Sequence, residues 1–176
     1  KLFLKNLVEG KSFVTNGPLL GFTVEGKNAG DSITLVGKEQ KLSYTAFLRS
    51  QVPIDHFEII WNGEVVAKHT LTDNQKTADA KGSVKVTGSG WLLLRAWSEK
   101  ANIDLPDVYP YSSTNPIYVK SQTKNSKQKV AAEYFLKWVN RIETKVNELP
   151  YRNVTEKELV LKDSRNAKLY YQQLIK

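Results

Sequence analysis

The stretch FEIIWNGEVVA, residues 57–67, decides the fold class of this chain. Two apolar runs that suit β-strands, 57–61 and 64–67, flank the dipeptide Asn62-Gly63. Both residues of an Asn-Gly pair accept the positive φ of a type I′ turn, and such a pair between apolar runs is the strongest short-range signal of a β-hairpin. The stretch therefore predicts two antiparallel strands joined by a two-residue turn.

Similar short strands, separated by turn residues, extend over the first two thirds of the chain. The segment 91–97 is apolar at nearly every position, which indicates a central strand with both faces largely covered. One other strand alternates apolar and polar residues and is expected to bury one face, with Leu42, Tyr44, Ala46 and Leu48. Turn signals at roughly 8–12 residue spacing are typical of an antiparallel sandwich. We predict an immunoglobulin-like β-sandwich over residues 1–120.

The character of the sequence changes after Val119. Residues 121–128 are polar and lack periodicity, which predicts a linker. An apolar stripe then recurs at steps of three and four residues, as expected for one face of a helix that ends at Pro150. The members of this predicted stripe are Ala131, Phe135, Trp138, Ile142, Val146 and Leu149.

A second helix is predicted to run to the C-terminus. Thr155-Glu156-Lys157-Glu158 has the spacing of a capping box, which marks a helix start. The residues expected on its buried side are Val160, Ala167, Leu174 and one of Tyr170 and Tyr171. Two helices joined by a short loop form a helical hairpin, so we expect residues 129–176 to form one and to pack it on the sandwich.

A compact turn, Thr15-Asn16-Gly17-Pro18, lies near the start of the chain. Asn and Gly tolerate positive φ, Pro fixes φ, and the apolar residues on both sides supply an incoming and an outgoing strand. Only a short amphipathic piece, Leu2 to Val8, precedes these strands, and the chain begins at Lys1 and contains no Met. We therefore expect that a preceding domain has been removed, and that residues 1–11 and this turn are the junction to it.

Composition excludes several classes of function. A chain of 176 residues with 40% hydrophobic residues can bury a core of its own. It has no Cys, which excludes thiolate catalysis, Cys-bound zinc and iron–sulfur clusters. The lack of Cys does not settle the compartment, and a periplasmic or secreted location is preferred to a cytoplasmic one. No apolar stretch approaches the about 20 residues of a membrane span.

The net charge of +8 is unevenly distributed. Residues 1–119 carry 13 Lys and Arg and 12 Asp and Glu, a net charge of +1, whereas residues 120–176 carry 13 and 6, a net charge of +7. In the second part the cations are dispersed singly along helical sequence, which indicates a solvated helix face rather than a phosphate-binding block. We therefore expect no nucleic-acid partner.

The two histidines form a candidate metal site with one carboxylate. If the hairpin has no bulge, the numbers of opposed residues sum to 125, so that His56 faces His69 and Glu58 faces Ala67. His56, Glu58 and His69 would then share one face with opposed Cβ atoms about 5 Å apart. Two His and one carboxylate are a recognised metal-ligand set.

A simpler interpretation of the same residues competes with this one. Phe57, Ile59 and Trp61 point to the other face, which we assign to the core, and this leaves the three polar residues on an exposed surface without a fourth ligand. A single bulge would break the register on which the metal site depends.

The loop after the central strand holds a second candidate site. Asp104 and Asp107 are paired carboxylates that suit acid/base catalysis or calcium binding, and Tyr109 and Tyr111 suit stacking on a sugar. Turn formation explains the same Asp and Pro residues equally well. No nucleophile elbow, phosphate loop or dinucleotide fingerprint occurs, so we predict no catalytic residue in this chain.

Several stretches, taken in their order along the chain, carry a resemblance to a known family. They are LVEGKSFVTNGPLL (7–20), VEG (24–26) with GDSI (30–33), FEII (57–60) with NGEVV (62–66), WLLLRAW (91–97), TNPIYV (114–119) and AEYFLKWV (132–139). With them, nearly the whole chain resembles the C-terminal region of the CehA/McbA-like metallohydrolases of the PHP (polymerase and histidinol phosphatase) superfamily. One departure is Ser113, where the family often has His.

The resemblance implies that this chain is a non-catalytic accessory domain. In the family a catalytic barrel precedes the sandwich, and the metal-binding His and Asp residues belong to that barrel. We therefore expect no cofactor here, a divalent metal in the preceding domain, and that domain as the intramolecular partner. The alternative is a carbohydrate- or surface-binding module of a secreted multidomain protein, which would act through Tyr109 and Tyr111.

Overall fold

A computed structural model describes residues 1–105, 109–121 and 126–175 of the chain. Its helices are α1 (Leu2–Val8), α2 (Ser126–Glu148) and α3 (Val154–Ile175). Its strands are β1 (Phe13–Thr15), β2 (Leu19–Val24), β3 (Ser32–Thr34), β4 (Glu39–Arg49), β5 (His56–Trp61), β6 (Glu64–Lys68), β7 (Thr77–Thr87), β8 (Gly90–Trp97), β9 (Tyr111–Thr114) and β10 (Ile117–Lys120). The prediction of a mainly β chain with helices at its C-terminus is confirmed.

The chain divides into two compact units, residues 1–123 and residues 124–176. The first contains all ten strands of the described residues, and the second contains α2 and α3. The packing of the helical hairpin on the sandwich stays a prediction.

The strands form two sheets that face each other across one core. β2, β4 and β7 form an antiparallel three-stranded sheet. In the seven-stranded sheet, β8 is central: β5 and then β6 lie on one side, and β9 and β10 share the other side. β1 pairs with β9 in the antiparallel sense and β3 with β10 in the parallel sense. Both sheets contribute alternate side chains to the core, as a β-sandwich requires.

The predicted hairpin and the predicted alternation are both present. β5 and β6 pair across Asn62 and Gly63, whose φ angles of 49° and 90° are those that a primed turn requires. In β4 the predicted positions Leu42, Tyr44, Ala46 and Leu48 are all buried. In β8 the residues that face the core are buried and those on the other face are half-buried.

The turn at residues 15–18 connects the two sheets. β1, before it, belongs to the seven-stranded sheet and β2, after it, to the three-stranded sheet. The Thr15 hydroxyl donates to the Pro18 carbonyl at 2.6 Å and accepts the Gly17 N–H at 2.9 Å, which closes the turn. Pro18 is fully buried. The prediction that this turn joins two strands is confirmed, whereas its role as a domain junction stays a prediction.

Helix α1 is anchored to the sandwich by its C-terminal end. Gly10, at φ 71°, donates to the Leu7 carbonyl, and Lys11 donates to the Asn6 carbonyl, the two bonds of a Schellman motif. The backbone of this motif lies against Gly30, where a Cβ would stand 2.0 Å from the Glu9 carbonyl oxygen. Close approach and a φ of 87° therefore both require glycine at position 30.

Helices α2 and α3 form a hairpin with an inner stripe that differs from the predicted one. On α2, the stripe of low exposure consists of Ala132, Leu136, Val139, Glu143 and Val146, one residue away from most of the predicted positions. Glu143 forms an ion pair with Lys168 of α3. Five of the six predicted positions are instead exposed, namely Ala131, Phe135, Trp138, Ile142 and Leu149, and only Val146 is buried. The prediction of a single buried stripe on α2 was wrong because this helix carries two adjacent apolar stripes.

The start of α3 also differs from the prediction. The residue that caps the helix is Asn153, whose Oδ1 accepts the Glu156 N–H at 2.8 Å, rather than Thr155. Leu161 and Ser164 are buried on α3, and the predicted residues Val160, Ala167, Tyr171 and Leu174 are half-buried beside them.

We predict that Gly30→Ala destabilises the chain much more than Gly37→Ala. Both glycines have a φ near 90°, so each Ala costs about 1 kcal/mol of backbone strain. At Gly37 a Cβ meets no described atom within 4 Å, whereas at Gly30 it meets the Glu9 and Gly10 backbone. Urea denaturation should give a total loss of about 3 kcal/mol for Gly30→Ala, with faster hydrogen exchange in residues 2–11. Equal losses for the two variants would contradict this anchoring of α1.

Candidate functional site

A buried carboxylate lies on the outer face of the seven-stranded sheet. Glu58 is only 2% exposed, although it points away from the core of the sandwich. Its Oε2 accepts hydrogen bonds from Arg95 Nη2 at 2.7 Å and from Trp97 Nε1 at 3.1 Å, and its Oε1 lies 3.5 Å from Lys68 Nζ. The prediction that Glu58 lies on an exposed surface was wrong, because long side chains of β6 and β8 cover it.

The surroundings of Glu58 keep it ionised. Burial by itself raises the pKa of this carboxyl, but the hydrogen bonds from Arg95 and Trp97 and the positive charge of Arg95 outweigh burial, so that the pKa lies below its usual value. A carboxylate held as an anion by such contacts is a fixed structural charge rather than a proton donor near neutral pH.

The predicted metal set is not assembled, because β5 and β6 contain a β-bulge. Trp61 and Ile60 pair with Glu64 and Val65, as predicted, but the register shifts between Ile59 and Ile60. Beyond the bulge Glu58 pairs with Lys68 instead of Ala67. Because successive side chains of a strand point to opposite faces, a shift of one residue moves His69 to the face opposite His56 and Glu58. The predicted register was therefore wrong.

His69 lies on the inner side of the sheet, between aromatic side chains. Its Nε2 is 3.0 Å from the Tyr44 hydroxyl, and its ring centroid is 6.0 Å from that of Phe57. Burial lowers the pKa of His69 and raises the pKa of Tyr44. His69 is therefore favoured as a neutral ring at neutral pH, and its contacts are those of a residue that packs at the edge of the core.

His56 remains on the outer face, where it stacks on Trp97. The two ring centroids are 4.1 Å apart with an interplanar angle of 19°, and His56 Nε2 lies 3.2 Å from Glu99 Oε1. Trp97 pairs in turn with Tyr111 on the neighbouring strand. His56, Trp97 and Tyr111 thus form an aromatic row across three strands.

Two sites that the sequence suggested separately are joined in the structure. The Asn16 side chain in the turn donates to the Tyr109 carbonyl at 2.7 Å and accepts the Tyr111 N–H at 2.8 Å. Tyr109 and Tyr111 are about half exposed beside it. Asp104 is exposed and its N–H bonds to Asn102 Oδ1, as in a turn, and Asp107 lies outside the described residues. The pairing of β1 with β9, which are far apart in the sequence, brings Asn16 close to these tyrosines. Local sequence patterns therefore could not predict this contact.

A polar recess of about 320 Å³, not found from the sequence, lies among three loops. Its side chains include Asp55, Gln75, Ser98, Lys100 and Asn102. Ser98 is buried, accepts the Asp55 N–H and donates to the Pro53 carbonyl. Three consecutive residues at its edge, 73–75, have φ between 51° and 64°, and such backbone strain is found more often at binding sites than elsewhere.

Comparisons with known proteins identify no relative of this chain. No protein-family model, no curated protein and no solved structure matches this chain. Within residues 1–105, 109–121 and 126–175, no group of three His, Asp or Glu side chains is placed to hold a metal ion. Among the helices of these residues, none has the length and apolar character that crossing a membrane requires.

We predict that breaking the Glu58–Arg95 pair destabilises the fold. Arg95→Met leaves a buried carboxylate without its strongest partner and should lower the free energy of unfolding, measured in urea, by about 2 kcal/mol or more. The double variant Glu58→Gln with Arg95→Met should lose less than the sum of the two single variants. The control is Lys85→Met, whose ion pair with Glu39 is exposed and should be worth less than about 1 kcal/mol. A loss for Arg95→Met no larger than the control would contradict the assignment.

We also predict that stability falls as pH is lowered below about 6.5, the ordinary pKa of an unfolded His. The folded-state pKa of His69 is lower, so the unfolded chain binds more protons there and is favoured, by at most about 1.4 kcal/mol per pH unit. Denaturation midpoints between pH 7 and pH 5.5 should show this slope in the wild-type chain and lose it in His69→Gln. His56→Gln is the matched control and should retain the contribution of His69. An unchanged slope in His69→Gln would refute the role of this residue.

Proposed function

We propose that this chain is a non-catalytic accessory domain of a PHP-type metal-dependent hydrolase and that it braces the catalytic barrel. Helix α1 is the observation that supports docking. Its five apolar residues are each more than half exposed, although the helix is firmly anchored at Gly10 and Gly30: Leu2, Phe3, Leu4, Leu7 and Val8. A contiguous apolar surface on an ordered element is typical of a site that a partner covers.

The family resemblance supports the same role. The stretch 7–20, by which the catalytic barrel of the family passes to its sandwich, extends here from the end of α1 through β1 and the turn to β2. In this proposal the divalent metal and its ligands belong to the barrel, and the chain contributes no catalytic residue. The Thr15-Asn16-Gly17-Pro18 turn, which connects the two sheets, belongs in this proposal to the junction with the barrel.

The proposal includes an immunoglobulin-like topology, which the strand order supports. β2, β4 and β7 take the places of strands A, B and E of an immunoglobulin domain, and β5, β8 and β10 take those of C, F and G in the opposite sheet. β6 then corresponds to the additional strand C′ of variable-type domains.

A carbohydrate-binding module is the second candidate, and the loop region favours it. The exposed rings of Tyr109 and Tyr111 offer stacking surfaces, and the polar recess at Asp55 and Asn102 offers both donors and acceptors for hydroxyl groups. In Trp97 the indole is already stacked on His56, so Tyr111 is the more available ring of the aromatic row.

We predict that a catalytic domain encoded upstream in the same gene binds this chain when the two are produced separately. Leu4→Glu with Leu7→Glu should weaken the complex at least tenfold in calorimetry, because it places two charges in the apolar contact. Val36→Glu is the control, since Val36 is also an exposed apolar residue but lies in a loop. The chain alone should show no metal-dependent hydrolysis.

Three outcomes would overturn this proposal. They are the lack of an upstream catalytic domain in the gene, no complex between the two parts, and metal-dependent hydrolysis by the chain alone. Glycan binding that is lost in Tyr111→Ala, without any complex, would favour the second candidate.

A further inference from the structure

Helix α2 carries an exposed apolar stripe in addition to the inner stripe that faces α3. We call it the outer stripe; its members are Tyr134, Phe135, Trp138 and Ile142 of α2 and Leu149 just beyond the end of the helix, which are 46–57% exposed. The four helical members, 134 to 142, extend over about 12 Å at 1.5 Å per residue. Phe135 stacks on Tyr171 of α3, with ring centroids 5.5 Å apart. A stripe of this size, rich in aromatic residues, is typical of an interaction surface.

The shape of the outer stripe favours a protein partner over a lipid surface. A recess of about 480 Å³ lies along its second half, lined by Trp138, Ile142, Val146 and Leu149. A concave site beside an exposed Trp accommodates one inserted side chain, as in the centre of a protein interface. Binding of a helix at a membrane surface depends on its buried apolar area and makes no use of such a recess.

The charges at the edge of the recess specify the chemistry of the partner. Arg141 and Lys145 border it. Lys145 pairs with Glu148 at 2.6 Å, whereas Arg141 has no ion-pair partner in the part of the chain that the structure describes. Residues 124–176 carry 12 Lys and Arg and 6 Asp and Glu, a net charge of +6. This excess of positive charge disfavours a second copy of the same face and favours an acidic partner.

We propose that the outer stripe of α2 docks on an acidic surface of the catalytic domain, with an apolar side chain of that domain in the recess and its carboxylates on Arg141. This inference rests on the proposed accessory role and adds a second contact, of different chemistry from the one at α1. Trp138 is the expected centre of the contact, and Arg141 lies at its edge.

Matched substitutions on the full chain test this contact. Leu149→Ala truncates the outer stripe, and Leu159→Ala makes the same change at an equally exposed position of α3. Arg141→Glu reverses the charge at the edge of the recess, and Arg152→Glu does so at an exposed position between the helices. Circular dichroism checks that each variant is folded, and calorimetry measures its binding to the separately produced catalytic domain.

We expect Leu149→Ala and Arg141→Glu each to weaken this binding about five- to tenfold, and the two controls to stay within about twofold. The affinity of the wild-type chain should also fall with added salt, and Arg141→Glu should reduce that dependence. If the wild-type chain binds but all four variants bind equally, the inference is overturned and the accessory role remains. If the wild-type chain does not bind, the accessory role itself fails.

Two further results would assign the outer stripe to another occupant and overturn the inference. One is cosedimentation of the chain with vesicles of phosphatidylserine and phosphatidylcholine that is lost in Arg141→Glu, which would indicate an anionic lipid surface. The other is a concentration-dependent dimer in analytical ultracentrifugation that is lost in Leu149→Ala, which would indicate a second copy of the chain.

Discussion

The sandwich depends on the alternate side chains that two neighbouring strands of its larger sheet direct into the core. Phe57 and Ile59 of β5 and Leu92, Leu94 and Ala96 of β8 are almost completely buried and face the other sheet. Because the side-chain period of a strand is two, this inner set also fixes which residues lie on the outer face. A charged residue placed there among long neighbours is covered by them rather than by the core. The ion pair of Glu58 and Arg95 follows from this constraint.

The same constraint determines what chemistry the polar residues can perform. The negative charge of Glu58 is balanced by Arg95 and Lys68, and its carboxylate accepts a hydrogen bond from the Trp97 indole N–H. The bulge places His69 on the inner side of the sheet. The contacts of Glu58 hold its pKa below the usual value, and burial lowers the pKa of His69. These groups therefore stabilise strand pairing and the edge of the core. The proposals rest on other surfaces, namely α1, the tyrosines beside Asn16, the polar recess at Asp55 and Asn102, and the outer stripe of α2.

Much of the fold could be predicted because its signals are local. Asn62-Gly63 predicted the hairpin, and continuous apolar character predicted the central position of β8. The bulge could not be predicted, since Val65 and Val66 suit either face of β6 and nothing in the sequence marks the extra residue. On α2 two apolar stripes lie side by side, and both have helical periodicity. Periodicity therefore could not distinguish the exposed stripe, which contains Trp138, from the stripe that packs on α3. Asn153 and Thr155 are both good capping residues, and only the formed hydrogen bond distinguishes them.

The two exposed helical surfaces, on α1 and on α2, differ in their chemistry. On α1 the apolar residues occupy most of a short helix that is anchored to the sandwich at Gly30. A partner bound to α1 would therefore be held in a fixed position relative to the sandwich. On α2 the apolar stripe is bordered by Arg141 and Lys145, so a contact there is oriented by charge and weakened by salt. An apolar contact contributes affinity without favouring one orientation of the partner, whereas charges at the edge of a contact favour one orientation.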